Sequence, residues 1–473
     1  MAVRRKSLTR VNESRGLAVE YATMATSESA LILAERAVPR YTSYPTAPHF
    51  NAATGAARAT QWLADLPDNA TLSLYLHVPF CSAICTYCGC NTKAVRREAP
   101  LDDYTATLEK EIDLLARATR ARRVTHIHWG GGTPSLLGPK RLGRLAARVA
   151  GAFDLSAIAE HAIELDPRTV DAPLVAGLAA IGVTRASLGV QDFNEHVQRQ
   201  IGRPQPYEVV ENAVRLLRGA GIGAINLDLM YGLPDQSEED VRRTATLAAG
   251  LAPARLAIFG YAHVPWFKSH QKLIDAAALP GASARLAQAD LARRTLEAHG
   301  YEAIGLDHFA RPDDDMAIAA RGGTLRRNFQ GYTTDVADAL LPLGASSIGK
   351  LPQGFIQNAP DVAGWRRAVD AEKPAIVKGL ELTDDDRLRA AAIERLMCDF
   401  ALDYGALARR LAGDVGALDD AQDELDALER DGVVTREGRV VRVTEAGKPF
   451  VRLAAAAFDA YLHGGKARHS VAV

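Results

Sequence analysis

Residues 71–90 read TLSLYLHVPFCSAICTYCGC, an apolar run that leads directly into closely spaced cysteines. The first eight residues are apolar or β-branched and end at a proline, which predicts a buried strand. Four of the five cysteines of the chain follow at once, at Cys81, Cys85, Cys88 and Cys90. Thiols this close together predict a metal or redox-cofactor site in a reducing compartment rather than a disulfide scaffold. The fifth, Cys398, is expected to be a small buried apolar residue.

From about residue 71 to 306 the chain alternates short apolar runs with longer amphipathic segments, a pattern typical of βα units around a parallel sheet. The candidate strands are 71–78, 124–129, 161–166, 184–190, 224–230, 255–261 and a weaker one at 302–306. Residues 103–118 predict an amphipathic helix, and Ser237 followed by Asp240 predicts a capped helix start. The predicted fold class is α/β, a partial or complete parallel (β/α) barrel.

Glycine and polar motifs recur where each predicted strand ends. They are HVPFC, GGGTP (130–134), ELDPR (164–168), GVQDF (189–193), DLMYGLP (228–234) and YAH (261–263). Any one of them could be an ordinary turn. In parallel barrels, however, the carboxyl ends of the strands build the active site. Six such motifs in series, one of them the cysteine cluster, therefore predict a single site.

Charge and hydropathy exclude two classes of protein. Of the 473 residues, 56 are Lys or Arg and 57 are Asp or Glu, so the net charge is −1 and gives no support for binding nucleic acid. Hydrophobic residues make up 48% of the chain, yet no run approaches the roughly 18 apolar residues of a membrane span. We expect a cytoplasmic protein, monomeric in its simplest state. The sequence leaves open whether translation starts at Met1 or Met24.

Composition divides the chain into three parts. We expect a flexible N-terminal extension at 1–38, the barrel at 39–355 and a mainly helical, winged-helix-like domain at 356–473. The third part carries helix patterns at 383–400 and 418–430, followed by the hairpin pattern VVTREGRVVRVT. A winged helix can bind DNA, but this one has no basic stripe, which favours a structural or docking role.

Cys81, Cys85 and Cys88 share one short loop with the spacing CxxxCxxC. Zinc sites usually combine two Cys pairs, or Cys with His, that are a dozen or more residues apart. The chain has no second CxxC, so a zinc-stabilised structural protein would need another ligand. A cubane iron–sulfur cluster suits three thiolates better and leaves one iron without a protein ligand. Such an iron can bind a small molecule.

These cysteines, with Tyr87 before the last of them, resemble the signature of radical S-adenosylmethionine (SAM) enzymes. Other segments resemble the oxygen-independent coproporphyrinogen III oxidases, namely RYTSYPTA (40–47), HWGGGTPS (128–135), GVQDFN (189–194), DLMYGLP (228–234), HFARPDD (308–314) and RNFQGYTT (327–334). The likeness extends from about residue 39 almost to the C-terminus. It implies a radical SAM barrel that converts two propionates of coproporphyrinogen III to vinyl groups, giving protoporphyrinogen IX for haem synthesis.

The resemblance also implies roles for individual residues. It implies one [4Fe-4S] cluster held by Cys81, Cys85 and Cys88, with two molecules of SAM beside it. The implied SAM or cluster contacts are Tyr75, Tyr87, Gly131, Gly132, Thr133, Glu164, Gln191, Arg203, Asp228, Met230, Ala262 and Ile348. Tyr75 and Cys90 are the implied catalytic residues. As a fourth ligand Cys90 would close the open iron, so we favour proton or hydrogen-atom transfer for it.

A substrate with four propionates needs local cations in a near-neutral protein. The candidates are Arg311, Arg326, Arg327, Lys268 and Lys272. The reductant of the cluster and the final electron acceptor stay unidentified. Two relatives of the family remain as alternatives, a haem-binding carrier and a haem-degrading enzyme. Cys90 and the lack of an HNxxYW-like segment disfavour the carrier, and HFARPDD with RNFQGYTT disfavours the haem-degrading enzyme.

Overall fold

The computed structural model describes residues 28–462 and 471–472. Its strands are β1 (Thr71–Val78), β2 (Phe80–Cys81), β3 (Lys93–Ala94), β4 (Arg123–Gly131), β5 (Glu160–Leu165), β6 (Arg185–Gln191), β7 (Ala224–Tyr231), β8 (Arg255–Gly260), β9 (Glu302–Ile304), β10 (His308–Ala310), β11 (Arg326–Asn328), β12 (Gly331–Thr333), β13 (Ala339–Leu343), β14 (Ile348–Leu351), β15 (Gly354–Asn358), β16 (Ile376–Glu381), β17 (Ala401–Asp403), β18 (Val434–Glu437) and β19 (Val440–Val443). Its α-helices are α1 (Glu28–Glu35), α2 (Ala56–Ala64), α3 (Ala99–Ala118), α4 (Gly138–Ala152), α5 (Ala172–Ala180), α6 (Glu195–Gln200), α7 (Tyr207–Gly219), α8 (Glu238–Gly250), α9 (Ala282–Ala298), α10 (Asp315–Arg321), α11 (Val362–Asp370), α12 (Asp384–Asp399), α13 (Tyr404–Ala412), α14 (Gln422–Arg430) and α15 (Val451–Ala456).

Twelve of the strands form one sheet, in the order β16-β15-β14-β13-β1-β4-β5-β6-β7-β8-β10-β9. The strands from β13 to β8 in this order run parallel. The strands beyond them on both sides pair antiparallel. Because β16 and β9 end the sheet on its two sides, the predicted (β/α) barrel is a partial one.

The two faces of the parallel strands differ in polarity. In β1, Leu72, Leu74 and Leu76 are at most 1% exposed and belong to the main core, which also contains the buried residues of the surrounding helices. The alternate side chains of the strands point to the other face, the inside of the barrel, because successive residues of a strand alternate. On that face lie Ser73, Tyr75, His77, His126, His128, Glu164, Ser187, Asn226 and Asp228. The inside of the barrel is therefore polar.

The α/β prediction is confirmed, and its six main strands are found within two residues of their predicted bounds. The helix expected at 103–118 is α3, and Ser237 forms the predicted capping box with Asp240 at the start of α8. The weak strand at 302–306 is the short antiparallel edge strand β9. Strands β13–β16 were not predicted, because they are four to six residues long and β13, β14 and β15 follow one another without a helix between them.

Two predicted domain limits need correction. The boundary after residue 355 falls inside β15, and the sheet continues through β16 to Glu381. We propose that the C-terminal domain begins after Glu381; it holds α12–α15 and the small sheet β17-β19-β18. The extension at 1–38 was expected to be flexible, but within its described part α1 is packed, with Leu33 only 3% exposed in the core of the C-terminal domain. Residues 1–27, with Met24, lie outside the described residues.

Across residues 28–462 and 471–472, the helices include none with the length and apolar character that a bilayer crossing requires. The longest, α3, has 20 residues but is amphipathic and carries seven charged side chains, one of them an arginine in its last turn. This pattern is typical of a helix on the surface of a barrel. Its apolar side packs into the main core through Leu108, Ile112 and Leu115.

Two neighbouring residues of α1 test this packing. Leu33→Ala removes a buried side chain and should weaken docking of α1 by about 2–5 kcal/mol. Ile32→Ala is the matched control, because Ile32 is 63% exposed. Hydrogen exchange of the α1 amides should accelerate in the first variant and stay unchanged in the second. Equal exchange in both variants would contradict the packed arrangement.

Candidate active site at the strand ends

A cavity of about 420 Å³ opens where the parallel strands end. Residues at or after the ends of β1 and of β4–β8 form its wall. A flat sheet would hold the ends of β1 and β8 about 24 Å apart. Instead Gln271, which follows β8, donates to the carbonyl of Tyr87, which follows β1, over 2.8 Å. The sheet is therefore curved, and the strand-end motifs meet around one cavity as predicted.

The three predicted cluster cysteines line this cavity, and each of their sulfur atoms accepts a hydrogen bond. The donors are Thr133 for Cys81 at 3.4 Å, Arg203 for Cys85 at 3.5 Å and the backbone N–H of Cys90 for Cys88 at 3.4 Å. A donor directed at a sulfur stabilises the thiolate, the form that binds metal. At Cys81, however, burial outweighs the Thr133 and Thr92 hydrogen bonds and raises the pKa.

Cys90 lies at the exposed edge of the same loop. Its thiol donates to the Cys88 sulfur, and this hydrogen bond lowers the pKa of Cys88 to about 6 and raises the pKa of Cys90. Cys90 therefore presents a protonated thiol beside a ligand thiolate. This arrangement agrees with the non-ligand role expected for Cys90.

The segment after β8 holds the cysteine loop in place. Lys268 donates its ammonium to the carbonyl of Cys90 at 2.9 Å, and His270 Nε2 bonds the carbonyl of Cys88 at 2.7 Å. The sequence analysis predicted that Lys268 contacts substrate. In the structure this side chain supports the loop, so its charge is directed at protein backbone.

The glycines at the end of β4 are required by packing within the protein. Gly131 has φ +113°, and a Cβ there would lie 2.6 Å from the ring of His77. A Cβ on Gly132 would lie 2.5 Å from Thr92 Oγ1 and 2.6 Å from the Phe80 carbonyl. Both residues line the cavity, but His77 of β1 occupies the space that a side chain at Gly131 would need, and the cysteine loop occupies that space at Gly132.

Glu164 lies on the floor of the cavity and is oriented by β4. Its Oε2 accepts the Gly131 N–H at 3.0 Å and its Oε1 bonds His128 Nε2 at 3.2 Å. Burial raises the pKa of Glu164, but the His128 and Gly131 hydrogen bonds outweigh burial and hold the pKa below its ordinary value. The carboxylate is therefore ionised, with lone pairs left for a bound ligand.

Arg203 connects the cluster loop to the end of β6. Its Nη2 donates to the carbonyl of Gly189 at 2.7 Å and lies 3.3 Å from Asp166 Oδ1. Both side chains of this ion pair are 8% exposed. The guanidinium thus donates to the sulfur of Cys85, and Asp166 neutralises the charge of the guanidinium.

The remaining wall comes from β6, β7 and β8. Gln191 has φ +69°, and a bulge separates it from Gly189 in the ladder with β7. Left-handed backbone at a residue other than glycine is strained, and such strain clusters at functional sites. Asp228 accepts hydrogen bonds from Ser187 at 2.7 Å and Asn226 at 2.8 Å, and burial raises its pKa. Met230 and Ala262 also line the cavity, as does Tyr87.

Two predicted cofactor contacts lie off the cavity wall. The Tyr75 hydroxyl bonds His77 Nδ1 at 3.1 Å, and Tyr75 lies with Glu164 around Gly130, just below the cavity floor. Ile348 is in the antiparallel strand β14 and packs against a separate cluster with Phe355. β14 pairs antiparallel with β13, with Leu340 opposite Lys350, so Ile348 lies beside the carboxyl end of β13 but outside the cavity wall.

The predicted substrate cations do not come together. The backbone N–H of Arg311 donates to the carbonyl of Ala254 at the amino end of β8, the opposite edge of the sheet from the cavity, so we withdraw Arg311. Arg326 pairs with Glu394 at 3.1 Å and lines a second cavity of about 430 Å³. Lys272 is exposed to solvent and does not line the strand-end cavity. Arg327 lines both the second cavity and a smaller cavity of about 150 Å³.

The thiols suit a multi-iron cluster better than a single ion. Within residues 28–462 and 471–472, no three His, Cys, Asp or Glu side chains are grouped so that they could hold one metal ion. The sulfur atoms of Cys81, Cys85 and Cys88 are spread along one wall, each with its own hydrogen-bond donor. Iron–sulfur clusters take thiolate ligands at separate iron atoms, so this donor set fits.

Sequence reasoning missed several residues of the site. Thr92 bonds Cys81 Sγ at 3.2 Å, His128 orients Glu164, and Arg40 lines the cavity from outside the barrel. Asp166 stands in the quoted ELDPR motif, so its position after a strand could have indicated it. Thr92 carries no such signal, because a threonine in a loop has no distinctive pattern.

Comparison with known proteins identifies both parts of the chain. Residues 75–248 match the radical SAM superfamily, and residues 382–450 match the HemN C-terminal domain. An oxygen-independent coproporphyrinogen III oxidase of Bradyrhizobium diazoefficiens is 48% identical over 448 residues, which is 94% of this chain and 100% of the relative. The protein of that name from Escherichia coli K12 is 39% identical over 430 residues, 90% of this chain and 93% of the relative.

A solved structure gives the same result. It is described as coproporphyrinogen III oxidase (HemN) from Escherichia coli, a radical SAM enzyme. The structures agree with a TM-score of 0.85 at 37% sequence identity, over 90% of this chain and 100% of that one. The comparison supports a [4Fe-4S] cluster and SAM as the cofactors.

The cysteine assignment can be tested by iron content after anaerobic reconstitution. We expect Cys85→Ala to lose most of the about four irons of a cubane cluster, because a thiolate ligand is removed. Cys90→Ala should retain them, and so should the control Cys398→Ala at a buried site outside the loop. Loss of iron from Cys90→Ala to the extent seen in Cys85→Ala would make Cys90 a ligand.

Proposed function

The chain belongs to the oxygen-independent coproporphyrinogen III oxidases, and from this we propose that it converts coproporphyrinogen III to protoporphyrinogen IX by radical SAM chemistry. Two propionates each lose CO2, one hydrogen atom and one electron, which leaves two vinyl groups. The observation that carries the proposal is the set of three cysteines, each with a hydrogen-bond donor at its sulfur, on the wall of a cavity at the strand ends.

Cys81, Cys85 and Cys88 hold the cluster, which with SAM supplies a 5′-deoxyadenosyl radical that removes a hydrogen atom from a propionate. The chain's own residues bind and orient. Glu164, ionised by its partners, accepts hydrogen bonds from a ligand hydroxyl or ammonium group. Arg203 steadies Cys85, and the Cys90 thiol holds a proton at the cavity edge. We retain two SAM molecules as an expectation from the family.

The setting of the reaction is part of the proposal. We infer a cytoplasmic monomer that receives electrons for the cluster from a separate reductant and passes one electron per decarboxylation to an acceptor. The five cysteines, none of them paired in a disulfide, support a reducing compartment. A haem carrier or haem-degrading relative is not favoured, because the close relatives along the whole chain are named as oxidases.

An anaerobic assay tests the reaction. Reconstituted protein with SAM, a strong reductant and coproporphyrinogen III should form protoporphyrinogen IX, CO2 and 5′-deoxyadenosine. Cys85→Ala should form none of them, because the cluster is lost. Cleavage of SAM with the porphyrinogen left intact would contradict the substrate, and stable haem binding without turnover would favour the carrier.

Glu164 provides a second test. Glu164→Gln removes the charge but preserves shape, and should raise the KM for SAM about 10- to 100-fold, the range expected for losing a hydrogen bond to a charged group. Iron content should not change, because Glu164 touches no cysteine sulfur. Glu98→Gln is the matched control at an exposed ion pair with Arg141. An unchanged KM for SAM in Glu164→Gln would remove this residue from the binding site.

A further inference from the structure

The strand-end cavity has little positive charge available for an anionic substrate. Of the residues that line it, Arg40 and Arg203 are the two cations, and three are carboxylic acids: Glu164, Asp166 and Asp228. Arg203 is buried and paired with Asp166 at 3.3 Å. Arg40 is therefore the cation that this wall can offer to a carboxylate.

Arg40 is oriented but not neutralised. Its Nη2 donates to the carbonyl of Gly260, at the end of β8, over 2.9 Å. Among the described residues, the Arg40 guanidinium makes this one hydrogen bond, and no carboxylate lies within ion-pair distance of it. A guanidinium has five N–H donors, so four remain for a ligand.

Arg327 supports Arg40 from the side away from the cavity. Its Nη2 donates to the Arg40 carbonyl at 3.1 Å and its Nε to the Tyr41 carbonyl at 3.2 Å, with the guanidinium over the ring of Tyr332. Its Nη1 is buried and finds no hydrogen-bond partner among the described residues. A buried unpaired N–H costs free energy until an acceptor reaches it.

The charged groups around Arg40 and Arg327 do not neutralise the two guanidinium groups. Arg40 and Arg327 both line a smaller cavity of about 150 Å³, which shares Gly260, Tyr261 and Ala262 with the strand-end cavity. Some other charges on that smaller cavity are paired, such as Lys448 with Glu445 at 2.7 Å. The buried Arg452 also lines it and donates to the carbonyls of Pro39 and Val471, each over 3.0 Å. Asp307 is near both arginines but already bonds His308 at 2.7 Å. Three arginines, Arg40, Arg327 and Arg452, thus share the nearby carboxylate of Asp307.

The size of the tetrapyrrole also points to Arg40. The strand-end cavity must hold SAM, so a tetrapyrrole with four propionates has to extend beyond it. Arg40 lines both the strand-end cavity and the smaller cavity, so it stands at the edge that a group of the substrate extending beyond SAM would reach.

We propose that Arg40 binds a propionate carboxylate of the tetrapyrrole at the mouth of the strand-end cavity, and that Arg327 is a positioning residue that holds the Arg40 backbone. This inference rests on the proposed function. Arg40 is not among the predicted substrate cations. Arg327 is among them, and it takes a supporting role in place of the predicted direct contact.

Binding of coproporphyrin III, the stable oxidised form of the substrate, tests the proposal by fluorescence titration of the reconstituted holoenzyme. Arg40→Gln should raise the Kd about 10- to 100-fold, because a charge-assisted hydrogen bond is lost. Arg40→Lys should recover part of the affinity, since it restores the charge without the planar fork. Arg36→Gln is the matched control on the same segment, at an exposed pair with Glu424, and should bind as the wild type does.

A derivative in which all four propionates are amides separates charge from shape. It should bind wild type and Arg40→Gln equally, whereas a structural defect in the variant would weaken both ligands. In turnover, Arg40→Gln should raise the KM for coproporphyrinogen III and leave the KM for SAM and the iron content unchanged.

The outcomes distinguish the two proposals. If wild type forms protoporphyrinogen IX and Arg40→Gln binds coproporphyrin III within twofold of wild type, the Arg40 inference is overturned and the proposed function stands. If Arg40→Gln weakens the tetra-amide as much as the acid, Arg40 is structural and the inference also falls. If wild type neither binds nor converts the tetrapyrrole, the proposed function falls and the inference with it.

Discussion

The loop that carries the cysteines lies against the glycine end of β4 with no space for a side chain between them. A Cβ on Gly131 or Gly132 would come within 2.6 Å of His77, Thr92 or Phe80. The same contact brings Thr92 and Thr133 to the sulfur of Cys81. Because real Cβ atoms do not approach this closely, a side chain at Gly132 would move the loop and its ligands, and one at Gly131 would displace the ring of His77 in β1. The remaining features of the site depend on this contact.

Charge separates the floor of the cavity from its mouth. The floor carries Glu164 and Asp228, each held by hydrogen bonds from neighbouring strands, whereas the mouth carries Arg40. SAM brings a cationic sulfonium and ammonium, and coproporphyrinogen III brings four carboxylates. The negative charge at the floor favours SAM there, and the positive charge at the mouth favours the propionates of the substrate there. The reverse placement of the two ligands is disfavoured. This sorting suits a reaction in which the radical source must lie below the substrate.

The fold and the inner site could be predicted because they depend on local patterns. Strand runs such as 71–78 and the motifs that follow them lie next to each other in sequence, and barrel geometry then brings the strand ends together. The side chains that came from distant segments were not predictable in this way. Arg40 lies before the barrel and reaches the cavity through a contact with Gly260, about 220 residues away in the chain. The role of Ile348 stays a prediction, since this residue lies beside the carboxyl end of β13 but off the cavity wall.

The HFARPDD motif contains a residue, Asp314, that has a structural role away from the substrate. Its Asp314 side chain is 7% exposed and accepts from Arg255 at 2.7 Å, with Arg185 at 3.8 Å. Glu160 lies beside the same arginines, so four charges meet at the amino ends of β5, β6 and β8. A buried charge that loses its partner is strongly destabilising. Asp314 of the motif is therefore explained by closure of the barrel base, at the edge of the sheet opposite the chemistry.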